Sequence, residues 1–80
     1  MQKKRTKIYE FNVIVEKDAS GSFFAYVPSL QGCYSQGKTL TEALKNIEEA
    51  IELNVEDRKA QGEKIDSRKA VSISSVEVVV

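Results

Sequence analysis

The chain contains no histidine, no tryptophan, one cysteine and one proline in 80 residues. Each absence removes a class of chemistry. Without an imidazole there is no Ser–His or Cys–His nucleophile, no His-bearing zinc site and no imidazole base titrating near neutral pH. The single cysteine, Cys33, has no intrachain disulfide partner and fits a reducing compartment. The 12 Lys+Arg are balanced by 12 Asp+Glu, so no general excess of cations is present to grip phosphate. No apolar run approaches the ~20 residues needed to span a bilayer, and the N-terminus lacks the apolar stretch of a signal peptide. A cytoplasmic protein without membrane contact is expected. The length suits one small domain and excludes doubly wound sheets and two-domain enzymes. What remains is carboxylate chemistry, or a domain that works by binding.

The charges are unevenly placed. Lys3, Lys4, Arg5 and Lys7 crowd the start, and Glu42, Glu48, Glu49, Glu52, Glu56 and Asp57 dominate the middle. A short basic lead is usually a solvated terminus. The expected organisation is a single domain over residues 1–80, with residues 1–7 as a flexible basic N-terminus.

Over residues 8–17, Tyr9, Phe11, Val13 and Val15 alternate with Glu10, Asn12 and Glu16, the period of a strand with one buried face. Asp18, Ala19, Ser20 and Gly21 supply a turn. A second strand is expected over residues 22–27 and is ended by Pro28, which has no N–H for a ladder. Residues 29–32 form the next connection and residues 33–36 a short third strand, closed by Gly37. Two short reversals make an antiparallel meander.

Thr39 lies three residues before Glu42, the spacing of a capping box, in which hydroxyl and carboxylate satisfy orphan N–H groups at a helix start. Behind it Leu40, Leu44, Ile47, Ile51 and Val55 form an apolar stripe, with Ala43 and Ala50 beside it. Arg58 and Lys59 complement the dipole at the other end, and Gly62 suits the left-handed position that follows. Such a helix is ~33 Å long at ~1.5 Å per residue, enough to lie along the meander and cover one face. After a polar connection, Val71, Ile73, Val76, Val78 and Val80 resume a strand period. The expected fold is α+β with order β-β-β-α-β: an antiparallel meander, one helix packed on one face, and a C-terminal strand returning to the sheet beside strand 1 or strand 3 through a right-handed crossover.

One helix covers only one sheet face, so Ile8, Ile14 and either Phe24 with Tyr26 or Phe23 with Val27 are expected on the other. The valine-rich end also carries no charge after Glu77 to discourage edge pairing. Exposed apolar sheet surface of this kind marks an interface, and a homo-oligomer, dimer or higher, is expected.

Few residues suggest catalysis. Cys33 lacks a histidine or CxxC partner and reads as a small buried hydrophobe. Glu48, Glu52 and Glu56 line one helix flank; Lys45, Arg58 and Lys59 lie within pairing distance, so a solvated face explains them better than a hard-cation site. Gly37-Lys38-Thr39 resembles the end of a phosphate loop without its first glycine, and reads as turn and cap. The aromatics Tyr9, Phe11, Phe23, Phe24, Tyr26 and Tyr34 have no interleaved basic residues, which favours packing or an interface over base stacking. No enzyme activity, cofactor or metal is expected.

The run Phe24-Ala25-Tyr26-Val27-Pro28-Ser29-Leu30-Gln31-Gly32-Cys33-Tyr34-Ser35-Gln36-Gly37-Lys38-Thr39, followed by Glu42-Ala43-Leu44 and Asn46, resembles the HicB-like antitoxin family. That family carries an aromatic, x-A-x-V/F-P-x-L-P-G-C-x-S-x-G-x-T, then E-A-L-x-N, and the resemblance covers about residues 8–55. Two positions depart: Gln31 stands where proline is usual, and Ser29 where aspartate is frequent. The matching residues Pro28, Gly32, Cys33, Ser35, Gly37, Thr39, Glu42 and Ala43 are fold-making types, so none transfers as catalytic.

The resemblance implies a partly degraded ribonuclease H-like sheet and a protein that neutralises HicA-type toxins, small mRNA-cleaving ribonucleases, by occluding their active site. On this resemblance the protein is expected to act as a ribonuclease inhibitor. Many members add a C-terminal DNA-binding domain; these 80 residues contain none, and no DNA binding is expected from them alone. The partner-binding candidates are Phe24, Tyr26, Pro28, Tyr34, Glu48 and Glu52. Two other readings compete: an orphan oligomeric domain binding RNA or another protein, and a residual metal-dependent nuclease using Glu10, Glu16 and Glu48, which needs those carboxylates to converge on divalent ions.

Overall fold

The computed structural model describes residues 8–65, 72 and 74–80. Three strands, β1 (Ile14–Lys17), β2 (Phe23–Tyr26) and β3 (Tyr34–Gly37), precede one helix, α1 (Leu40–Ala60). The strands form an antiparallel sheet in the order β1-β2-β3, as the two short reversals require. Ladder pairing is shorter than the alternation predicts, because residues 8–13 lie outside the paired stretch of the first strand. Gly37, expected to close β3, is its last residue.

The first reversal is built by Asp18. The Asp18 N–H donates to the Ser22 carbonyl at 2.8 Å, and Gly21, at φ +94°, occupies the left-handed position of a hairpin loop. The Asp18 carboxylate accepts the Ser20 N–H at 2.9 Å, the Ser20 hydroxyl at 2.6 Å and the Ser22 N–H at 3.1 Å. These bonds, the Ser20 hydroxyl foremost, hold its pKa below the ordinary carboxylate value.

The helix begins as Thr39 and Glu42 predict, with one difference. The Glu42 N–H donates to the Thr39 hydroxyl at 3.0 Å, but the Glu42 carboxylate accepts the N–H of Lys38, at 2.6 Å, rather than that of Thr39. The carboxylate thereby ties the incoming chain to the first turn. At the other end the Gly62 N–H donates to the Lys59 carbonyl and the Glu63 N–H to the Arg58 carbonyl, with Gly62 at φ +77°, the Schellman pattern.

The core is small: Ala25, Val27, Leu30, Cys33, Ala43 and Ile47 are buried, with Phe11, Val13, Val15, Phe23, Ala50, Ile51 and Val55 packed around them. Phe23, Ala25 and Val27 therefore face the helix. Phe24 and Tyr26, of opposite parity, face away, which settles the alternative left open by the aromatic run. The helix stripe is rotated from the expected one: Leu40 and Leu44 are exposed, and the buried side centres on Ala43 and Ile47. Gly37 permits this seat: a Cβ there would stand 2.5 Å from the Ala43 nitrogen, so the helix backbone rests this close to β3 only because residue 37 has no side chain. The Ser35 hydroxyl donates to the Ala43 carbonyl at 3.2 Å, and the Asn46 amide to the Gln36 carbonyl at 2.8 Å, fastening the first turns of the helix to β3.

A return strand at the C-terminus is absent among the described residues. Residues 76–80 have no ladder pairing, and Val76, Val78, Val79 and Val80 are exposed. Alternating β-branched residues supply strand propensity, but propensity alone does not fix a pairing partner. Val71, Ile73 and the basic lead at residues 1–7 lie outside the described residues.

Candidate functional site

The side of the sheet turned from the helix carries a cluster of rings. The β2–β3 register sets Tyr26 opposite Tyr34, and the β1–β2 register sets Ile14 opposite Tyr26 and Glu16 opposite Phe24. Phe24 lies at the centre, its centroid 5.8 Å from both the Tyr26 and the Tyr34 ring, each tilted against it. Tyr34 is 61% exposed. The Tyr26 hydroxyl donates to the Glu16 carboxylate at 3.4 Å, placing one negative charge beside an otherwise apolar platform.

Next to these rings a hollow of about 540 Å³ is lined partly by Pro28 and Gln31 of the β2–β3 loop. Two consecutive turns shape that loop. The Leu30 N–H donates to the Val27 carbonyl at 3.1 Å, with Pro28 just inside the turn, and the Cys33 N–H donates to the Leu30 carbonyl at 3.0 Å. In the second turn Gly32 has φ +82°, the third-position geometry of a type II turn, so Gln31 occupies the place where proline is favoured. The usual proline of this motif thus has a conformational reason, and Gln31 fills the position without it. Leu30 is buried beneath the loop. Across the fold, the Arg58 guanidinium donates to the Gln31 carbonyl at 3.0 Å and to the Asn54 side-chain oxygen at 2.6 Å, and it lies 3.7 Å from Glu63.

Phe24, Tyr26, Pro28 and Tyr34 are therefore brought together. Glu48 and Glu52 are not with them. They line a second depression, a groove of about 630 Å³ between the helix and residues 8–13. Glu10 lines this groove too, whereas Glu16 belongs to the aromatic side. The carboxylates required for two-metal chemistry do not converge, and among the described residues no group of three or more His, Cys, Asp or Glu is placed to hold a metal ion.

The remaining motif residues serve the fold. Cys33 is buried, and burial pushes its thiol pKa up, partly opposed by the Arg58 charge. Gly32 makes the turn, and Ser35, Gly37, Thr39, Glu42 and Ala43 seat the helix on β3. Sequence reasoning missed the part played by Arg58, which it assigned to the helix dipole and to pairing with the helix glutamates. No spacing signals a bond between residues 27 positions apart. Asn46 was visible in the E-A-L-x-N motif, but its carbonyl partner was not.

Among the described residues, no helix is long and apolar enough to cross a membrane. Residues 11–78 match the model of a family described as HicB-like antitoxin of bacterial toxin-antitoxin system. A UPF0150 protein of Helicobacter pylori is 48% identical over 84% of this chain and 92% of its own length. One from Thermoplasma acidophilum is 45% identical, covering 81% of this chain and 94% of that one. The crystal structure of the N-terminal domain of the Burkholderia pseudomallei antitoxin HicB superposes with a TM-score of 0.66 at 33% identity, over 76% of this chain and 72% of that one. The match spans the aromatic platform, its loop and the helix that supports them, and on it the chain belongs to the HicB-like antitoxin family of bacterial toxin–antitoxin systems.

Proposed function

We propose that this protein is a cytoplasmic antitoxin that binds a small HicA-type mRNA-cleaving toxin and occludes its RNA site. It performs no chemistry itself; inhibition follows from covering the surface that RNA must reach. Residues 1–80 act as a single unit derived from a ribonuclease H-like sheet. Family membership supports the class of partner. The observation that carries the surface is the triad of rings Phe24, Tyr26 and Tyr34 on the uncovered sheet face, with Tyr34 largely exposed. Aromatic side chains are enriched at protein interfaces because they bury much area at a small entropic cost, and exposed clusters of them on a domain this small usually mark a partner's seat.

The test is co-expression with a HicA-type toxin. Growth arrest should be relieved, and the two chains should co-purify. The double variant Phe24→Ala/Tyr34→Ala, checked for folding by circular dichroism, should lose both effects. No rescue by the unaltered chain would overturn the function, and full rescue by the folded double variant would move the interface elsewhere.

A further inference from the structure

Given the reading of the uncovered sheet face as the partner's seat, on which this inference rests, we propose that the hollow beside the three rings takes an arginine side chain of the partner. Its guanidinium lies against the Phe24 and Tyr34 rings and pairs with the Glu16 carboxylate. The strand registers place Ile14, Glu16, Phe24, Tyr26, Tyr34 and Gln36 together on the face turned from the helix. Glu16 is the one charged residue in that set. Aromatic rings carry negative potential over their faces, and the carboxylate adds a full charge of the same sign, so this surface attracts cations and repels phosphate.

The hollow of about 540 Å³ repeats the pattern: Glu16 lines it with Phe24, Tyr26 and Tyr34, and among the described residues no Lys or Arg does. The nearby cations of the chain itself are engaged elsewhere. Lys17 Nζ stands 5.6 Å from the Phe23 centroid, on the helix side, and Arg58 is bonded to the Gln31 carbonyl and to Asn54. Glu16 has no ion pair among the described residues, and the bond it accepts from the Tyr26 hydroxyl, at 3.4 Å, keeps its carboxylate beside the rings. Arginine suits this arrangement better than lysine, because a planar guanidinium can lie flat on a ring while its edge donates to a carboxylate, whereas an ammonium is compact and strongly hydrated. Bases could stack on the same rings, but the phosphates they carry would meet Glu16. A partner that grips RNA does so with Lys and Arg, and an arginine held here is withdrawn from phosphate.

Nα-acetyl-arginine amide titrated into the isotope-labelled full chain should shift the ring signals of Phe24, Tyr26 and Tyr34 and the carboxyl carbon of Glu16 in one saturable process. The citrulline analogue, which keeps the shape and loses the charge, and the lysine analogue should each bind at least about fivefold more weakly. Glu16→Gln should weaken arginine binding at least about fivefold with the circular dichroism unchanged, since Glu16 is exposed, whereas Glu48→Gln, in the other groove, should not. Calorimetry with a HicA-type toxin should rank the two variants in the same order. Equal binding of arginine and citrulline, a Glu16→Gln chain that binds arginine or toxin as tightly as the unaltered one, or a uridine hexanucleotide that displaces arginine from the rings would each overturn the proposal. If the unaltered chain binds no toxin, the antitoxin reading falls and the arginine titration still decides this one; if toxin binds and arginine does not, only this inference falls.

Discussion

Gly37 on the last strand and Ala43 in the first turn of the helix approach so closely that a methyl group at residue 37 would stand 2.5 Å from the Ala43 nitrogen and 2.9 Å from its Cα. Both obstacles are backbone, so neither can rotate away. Gly37→Ala should therefore destabilise the fold by about 1–3 kcal/mol, the usual effect of forcing extra volume into a packed contact. Urea unfolding followed by circular dichroism checks this. An unchanged midpoint would mean that the helix slides freely on β3.

The loop between β2 and β3 predicts a change in the other direction. Gln31 precedes Gly32 in a type II turn, and no backbone bond donated by Gln31 is among those that hold the turn. Gln31→Pro should stabilise by about 0.4–1 kcal/mol by restricting the unfolded chain. The Arg58 bond reaches the carbonyl of residue 31, which proline retains. Arg58→Ala should cost about 0.5–1.5 kcal/mol through the lost hydrogen bonds. Thermal melts of the two variants should move in opposite directions.

Asp18 predicts a pH dependence. Its folded pKa is depressed, first by the Ser20 hydroxyl, below the ordinary value of 3.8. A depressed carboxylate binds fewer protons in the folded state than in the unfolded one, so its stabilisation is present above about pH 4 and is lost as pH falls through the folded pKa. In an NMR titration the Asp18 carboxyl should therefore ionise below 3.8. Asp18→Asn should flatten the loss of stability in acid; a steeper acid limb in that variant would contradict the assignment.

Cys33 should react slowly. Its thiol is buried and its pKa raised by burial, so little thiolate exists at neutral pH and access is blocked. Ellman's reagent should modify the native chain much more slowly than the urea-unfolded chain at pH 8. Equal rates would place the thiol at the surface.

At the candidate interface, Tyr34→Ala should weaken toxin binding by about 2 kcal/mol, as a central aromatic anchor does. Glu48→Gln and Glu52→Gln should leave it within about twofold, because those side chains line the other groove. Calorimetric titration of the toxin into each variant separates the two surfaces.

Local signals were the legible part of this fold. Thr39 and Glu42 announced the helix start, Asp18 to Gly21 the first reversal and Pro28 the end of β2, because each acts through bonds to near neighbours. The order of three strands and a helix followed from them. What depended on packing was not legible. The stripe of Leu40 and Leu44 suggested one helix orientation, but the close contact at Gly37 permits another. Ring parity left Phe23 and Phe24 interchangeable until burial of Ala25 and Val27 fixed which face met the helix. The valines at residues 76–80 encoded strand propensity without an address. Likewise the sequence offered six partner-binding candidates as one set, and only the topology divided the four around Phe24 from Glu48 and Glu52.

The bond from the Asn46 amide to the Gln36 carbonyl has a consequence for assembly. It occupies an acceptor on β3, the outermost strand on the helix side of the sheet, and so blunts that strand as a template for another chain. With β3 blunted, growth is directed to the β1 side. A strand added to this sheet would therefore pair along β1 rather than β3.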